Sequence, residues 1–139
     1  MLFQATLDGD AGIIKPLIDN GAFPHHKNAV GNTALHRACF YRYDTCIQPL
    51  MDNGHQTDIS RTDYINAKNK FGNTALHYAS FNGHVDCILP LIENGANLHQ
   101  TNKANQTALH IAKVHRDDRY YSKKREKFDS IIEILLDAM

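Results

Sequence analysis

One stretch of this chain occurs three times. Gly31-Asn32-Thr33-Ala34-Leu35-His36 returns as Gly72-Asn73-Thr74-Ala75-Leu76-His77 and, with two changes, as Asn105-Gln106-Thr107-Ala108-Leu109-His110. Thr74 and Thr107 are 33 residues apart, and Thr33 and Thr74 are 41 apart, the same period plus eight. The pairs Asn20-Gly21, Asn53-Gly54 and Asn94-Gly95 are spaced by the same 41 and 33 in the opposite order, 33 and then 41. Both ladders therefore place one eight-residue insertion between Gly54 and Gly72. A unit this short cannot bury its own apolar face, so the repeat demands a stack in which each unit packs on its neighbours.

The residues inside the period say what each unit is. Thr33, Thr74 and Thr107 are good helix N-caps, able to accept from a backbone N–H left unpaired where a helix starts. Leu35, Leu76 and Leu109 with Ala38, Ala79 and Ala112 make an i, i+3 apolar stripe whose small member admits close packing: a first helix, A. A turn at Asn82-Gly83-His84 leads to Val85, Ile88, Leu91 and Ile92, the apolar face of a second helix, B, with Gly95 as a left-handed terminator. Pro16, Pro49 and Pro90 recur four residues before each Asn-Gly. A proline there removes an i→i−4 bond, so each helix B should be kinked or lose its regular first turn.

The period of 33 with Thr-Ala-Leu-His-x-Ala and a later Asn-Gly-Ala resembles the ankyrin repeat across essentially the whole chain. Ala34, Ala75 and Ala108 stand where that family usually has Pro, which removes only a pre-set φ at the first helical position. The resemblance implies an all-α solenoid of stacked helix-turn-helix units with short β-hairpin fingers. It forms one domain over 1–139, with repeats at about 1–30, 31–71 with an insert at 55–64, 72–104, and 105–139 with an insert at 117–127. Aligning Gly9 with Gly83 puts Met1 inside helix A of repeat one, and Met139 falls at the position of Gly95, as expected of a piece of a longer protein. Repeat four carries eleven extra residues between Val114 and Phe128, and Tyr121, Phe128, Ile131, Ile132 and Leu135 predict a lengthened helix B.

Composition narrows the function. Fifteen Lys and Arg balance fifteen Asp and Glu, so no global field draws the chain to nucleic acid or an anionic membrane. The apolar runs are far shorter than the roughly 20 residues that span a bilayer. Cys39, Cys46 and Cys87 are odd in number and form no C-x-x-C, as expected of reduced thiols inside a cell, in cytoplasm or nucleus, or in a bacterial effector delivered into a host cell.

Chemistry-bearing clusters dissolve under the repeat. His36, His77 and His110 share one repeat position about 8–10 Å apart, too far for one zinc ion, and should bond Thr and backbone between repeats. His25-His26 and His99 read as solvated loop residues, and Cys46 and Cys87 as small core hydrophobes beside Ile47 and Ile88. Thr107 of the sequon Asn105-Gln106-Thr107 is consumed as a cap, and Lys123-Lys124-Arg125-Glu126-Lys127 reads as a solvated helix face. The expectation is no catalysis, no cofactor and no metal.

What remains is surface. Ankyrin repeats resemble one another least at the hairpin tips and at the exposed end of helix A. There this chain has Phe40 and Phe81 in repeat-equivalent positions, Tyr41 and Asn82 after them, and Phe71 at a tip, flanked by Lys68, Lys70 and Lys103. Phe40, Tyr41, Lys70, Phe71, Tyr78, Phe81, Asn82, Lys103 and His115 are the expected contacts to a protein partner on the concave face of a monomeric scaffold. The plainer alternative is that Phe40 and Phe81 simply cover the A helices. The inserts, His55 to Tyr64 and Asp117 to Lys127, are further candidates. Two other readings stand beside this one: a substrate-recruiting module of a larger enzyme or secreted effector, and a structural domain packing on its own chain.

Overall fold

The computed structural model describes residues 6, 8–54 and 60–139. The expected start of repeat one within helix A, and residues 55–59 of the first insert, lie outside the described residues. In chain order the α-helices are α1 (Ile14–Asp19), α2 (Ala34–Phe40), α3 (Ile47–Gly54), α4 (Arg61–Ile65), α5 (Ala75–Asn82), α6 (Val85–Glu93), α7 (Ala108–Asp117) and α8 (Arg125–Ala138). They form two layers. The A helices α2, α5 and α7 pack side by side, and the B helices α1, α3, α6 and α8 pack behind them in the same order.

The core follows the predicted stripes. Ala38, Ala79 and Ala112 are fully buried, and Leu35 and Leu76 lie beside them. Behind come Ile47 and Leu50 of α3, Ile88 and Leu91 of α6, and Ile131 and Leu135 of α8. Each such aliphatic side chain contributes about 2 kcal/mol on leaving water, and all belong to one cluster that runs through consecutive repeats, so the core is one continuous strip. Cys39, Cys46 and Cys87 are free and wholly buried in it, where burial pushes the Cys39 and Cys46 thiols up.

The uniform effect expected of the prolines is seen in repeats one and two and not in repeat three. In repeats one and two the B helix opens with a 3-10 turn, Ala11–Ile13 and Asp44–Cys46, before α1 and α3 begin. Pro16 and Pro49 thus fall in the first α-turn, where the bond they cannot donate is least missed. In repeat three α6 runs through Pro90. Asn20 and Asn94 then close their helices through both backbone N–H (3.1 Å each) and side-chain amide (2.8 and 2.7 Å) onto the carbonyls of Pro16 and Pro90.

Among the described residues, both inserts contribute helical segments. Residues 61–65 form α4, capped by Ser60 Oγ accepting from Asp63 N, with Tyr64 and Ile65 buried, so this end of the first insert is core. In repeat four the extra residues do not all enter helix B: they extend α7, form a 3-10 segment Arg119–Lys124 and add the first turn of α8.

The fingers close without strands among the described residues. Asn69 N donates to Asn73 O and Gly72 N to Asn69 O, both at 3.0 Å, and the same pair of bonds recurs at Asn28 and Asn102. The carboxamide oxygen of each of these asparagines accepts two more backbone N–H groups, Phe71 and Asn73 in the case of Asn69. Gly72 has φ +77°, and a Cβ there would lie 2.8 Å from Lys103 N of the next finger. Gly21 has φ +99° with nothing within 4 Å. Chemical denaturation should therefore show Gly72→Ala destabilising by about 2 kcal/mol or more, and Gly21→Ala by about 1 kcal/mol.

Candidate functional site

The repeat period that aligns the core also aligns what the two layers leave outside. Stepping by the 41- and 33-residue intervals gives three sets of repeat-equivalent positions, Val30, Phe71 and Ala104 at the tips and, on the A helices, Arg37, Tyr78 and Ile111 followed by Phe40, Phe81 and Val114. Of these, Phe40, Phe71, Tyr78, Phe81, Ala104 and Ile111 line hollows between the fingers and the A helices. A hollow of about 320 Å³ is lined by Phe40, Phe71, Tyr78, Phe81, Gln106 and Ile111, among others. A second, of about 450 Å³, shares Phe71, Asn73 and Asn102 with it and reaches Lys103. The two make one trough from the A helices to the finger tips. Phe71 is 57% exposed, while Phe40 and Phe81 are about two-fifths exposed at 41% and 42%. Phe40 meets Tyr78 edge to face with centroids 5.4 Å apart, a geometry that holds both rings in place.

The predicted contact residues divide into two groups. Phe40, Phe71, Tyr78, Phe81 and Lys103 come together at the trough, and Lys70 sits beside Phe71 on the same finger, its backbone N–H bonded to Val30 O of the preceding finger at 3.0 Å. Tyr41, Asn82 and His115, one repeat position in three copies, lie at the C-terminal ends of the A helices, Tyr41 just after α2, Asn82 last in α5 and His115 in the final turn of α7. There Asn82 Nδ2 donates to Phe40 O (3.3 Å) and His115 Nδ1 to Phe81 O (2.9 Å), tying each repeat to the one before. The His115 ring also stacks on Tyr121 at 4.5 Å, which anchors the second insert. Ile111 and Gln106 line the trough without having been predicted, although Ile111 lies 33 residues after Tyr78 and was readable from the period.

Beneath the trough, two histidines join the repeats. Thr33 N donates to His36 Nδ1 (3.1 Å), and Nε2 meets Asn73 O of the next finger at 3.0 Å. A backbone amide can only donate, so Nδ1 accepts and the ring is neutral with its proton on Nε2. Thr74, His77 and Gln106 O repeat the arrangement at 3.1 and 2.9 Å. Burial lowers the His36 pKa from 6.5 to about 4, outweighing the carbonyl contact, and lowers His77 as well. His110, expected to bond in the same way, is bonded among the described residues through its backbone N–H to Thr107 Oγ1, and the residue is exposed rather than bridging to a further repeat. Among the described residues no group of His, Cys, Asp or Glu is placed to hold a metal, and no helix is long and apolar enough to cross a membrane.

A family model for ankyrin repeats in three copies matches residues 1–102 and 62–121. The chain belongs to the ankyrin-repeat family. It is also similar to an ankyrin repeat domain-containing protein, SAT10, of Stachybotrys chartarum, at 33% identity over 66 residues. That match spans 48% of this chain and 3% of the fungal protein. Of the residues that carry the ankyrin repeat here, His36, His77 and the finger residues are bonded between repeats and the capping threonines hold the histidines of their own repeat, while Phe40 and Phe81 lie outside that motif.

The lowered histidine pKa values set a pH dependence. Because folded His36, His77 and His84 resist protonation, the unfolded chain takes up more protons once pH falls below about 6.5. Stability should be level above that point and fall steadily towards pH 4, and urea titrations across this range should show a shallower slope for His36→Gln, itself less stable overall.

Proposed function

We propose that this chain is a protein-interaction module that holds its partner in the trough between the fingers and the A helices and carries out no chemistry of its own. The observation that supports this is the contiguity of Phe40, Phe71, Tyr78 and Phe81, whose rings line one continuous hollow. A soluble domain keeps large apolar side chains scattered, and a contiguous set rimmed by polar groups marks a surface that is covered when the protein works. Rigid aromatics lose little conformational freedom on binding, which makes them the usual energetic centre of such contacts. Ankyrin repeats are in general protein-interaction modules, and the stiffness of a stack bonded through each finger favours a preformed surface over one that folds on its partner.

The test is a capture experiment with the chain and a Phe71→Ala/Phe81→Ala variant, thermal melts of both confirming an intact stack. The variant should melt like the parent and bind the captured protein about 100-fold more weakly or worse. Equal retention by both chains would move the binding surface away from the trough.

A further inference from the structure

The zero net charge conceals a partition. None of the fifteen Asp and Glu falls within 22–43, 64–85 or 94–116, the three stretches that supply a finger and an A helix, whereas eight of the fifteen Lys and Arg do. Acids are confined to the B helices, their flanks and the inserts. At the trough the effect is local: Lys70 and Lys103 are repeat-equivalent, both are exposed, and neither takes part in an ion pair among the described residues. Lys27 and Lys68, one step further along each finger, are already engaged, their Nζ atoms donating to Lys68 O (3.2 Å) and Thr101 O (2.9 Å) of the next finger.

From this we infer that the partner presents an acidic segment, seating one large apolar side chain between Phe71 and Phe81 and directing carboxylates to Lys70 and Lys103. The inference rests on the reading of the trough as a protein-binding surface and names the partner's chemistry. A lysine rim around an aromatic floor selects a segment of mixed character, because the apolar anchor supplies the energy and the rim charges supply steering and exclude basic competitors. A nucleic-acid strand fits less well. Phosphate binding rests on a run of cations along a groove, and here two of the finger lysines are engaged by backbone carbonyls while the floor is built from Phe, Tyr and Ile.

The probe is a library of short random peptides selected on the whole chain, followed by binding kinetics of the enriched peptides at low and high salt. Enriched sequences should carry Asp and Glu around an aromatic or large aliphatic residue. A Lys70→Glu/Lys103→Glu variant should slow their association about tenfold or more at low salt and remove the salt dependence, while Phe71→Ala/Phe81→Ala should chiefly speed their dissociation. The two lysines lie outside the ion pairs among the described residues and outside the core, and melts of the variant verify the fold. Enrichment of neutral or basic peptides, or kinetics indifferent to the lysine reversal, overturns the acidic partner. If those peptides are still lost with Phe71→Ala/Phe81→Ala, the interaction module itself stands. Displacement of the peptides by single-stranded RNA of mixed sequence overturns the inference in favour of nucleic acid, and a selection that enriches nothing overturns the inference and the module together.

Discussion

Everything else in this protein depends on polar groups of one repeat being satisfied by the next. The Nε2–H groups of His36 and His77 end on carbonyls of the following finger, at Asn73 and Gln106. The fingers are joined by Lys70 N to Val30 O and Lys103 N to Phe71 O, and again by Asn69 Nδ2 to Asn32 and Asn102 Nδ2 to Asn73. An unmet buried donor costs about 1–3 kcal/mol, so a single repeat pulled from the stack loses on polar grounds as well as on apolar ones. The capping threonines, the positive-φ glycines of the fingers and the small alanines of the A helices all serve this one register.

The aromatic trough is a by-product of the same register. Because a bond every 33 residues fixes how far each repeat is displaced from the last, any side chain pointing out of the hollow is copied along it. Phe40 and Phe81 form such a pair, as do Tyr78 and Ile111. The stack therefore supplies a rigid trough whose chemistry is set by residues that the stack itself does not need. Tyr41, Asn82 and His115 show the limit of that freedom: the last two of these equivalent positions donate back to the preceding repeat.

Much of this was legible in the sequence because it was written as a period. Two spacings located the helices, the caps, the buried histidines and the insertion, and placed Phe40, Phe71, Tyr78 and Phe81 on one face. What fell outside the period was harder to read. The first insert supplies Tyr64 to the core beside Ile65, which follows it, an outcome that depends on packing distant in sequence, with the His25 ring edge-on to Tyr64 at 4.4 Å. The extra residues of repeat four divide among a longer α7, a 3-10 segment and α8, because Tyr121 is drawn onto His115. The finger asparagines Asn28, Asn69 and Asn102 obey the same 41 and 33 spacings, yet a lone Asn in a loop gives no composition signal that sets it apart from its neighbours.

The register rests on two neutral histidines, each accepting a backbone N–H at Nδ1 and donating from Nε2 across the repeat boundary. Nitrogen-15 NMR of the imidazole rings through a pH titration reads both properties at once. His36 and His77 should hold the Nε2–H tautomer near neutral pH, with His36 taking up its second proton only near pH 4. An Nδ1–H tautomer at either ring, or a His36 titration near 6.5, would show that these side chains do not bridge the repeats and that the stack is held together in another way.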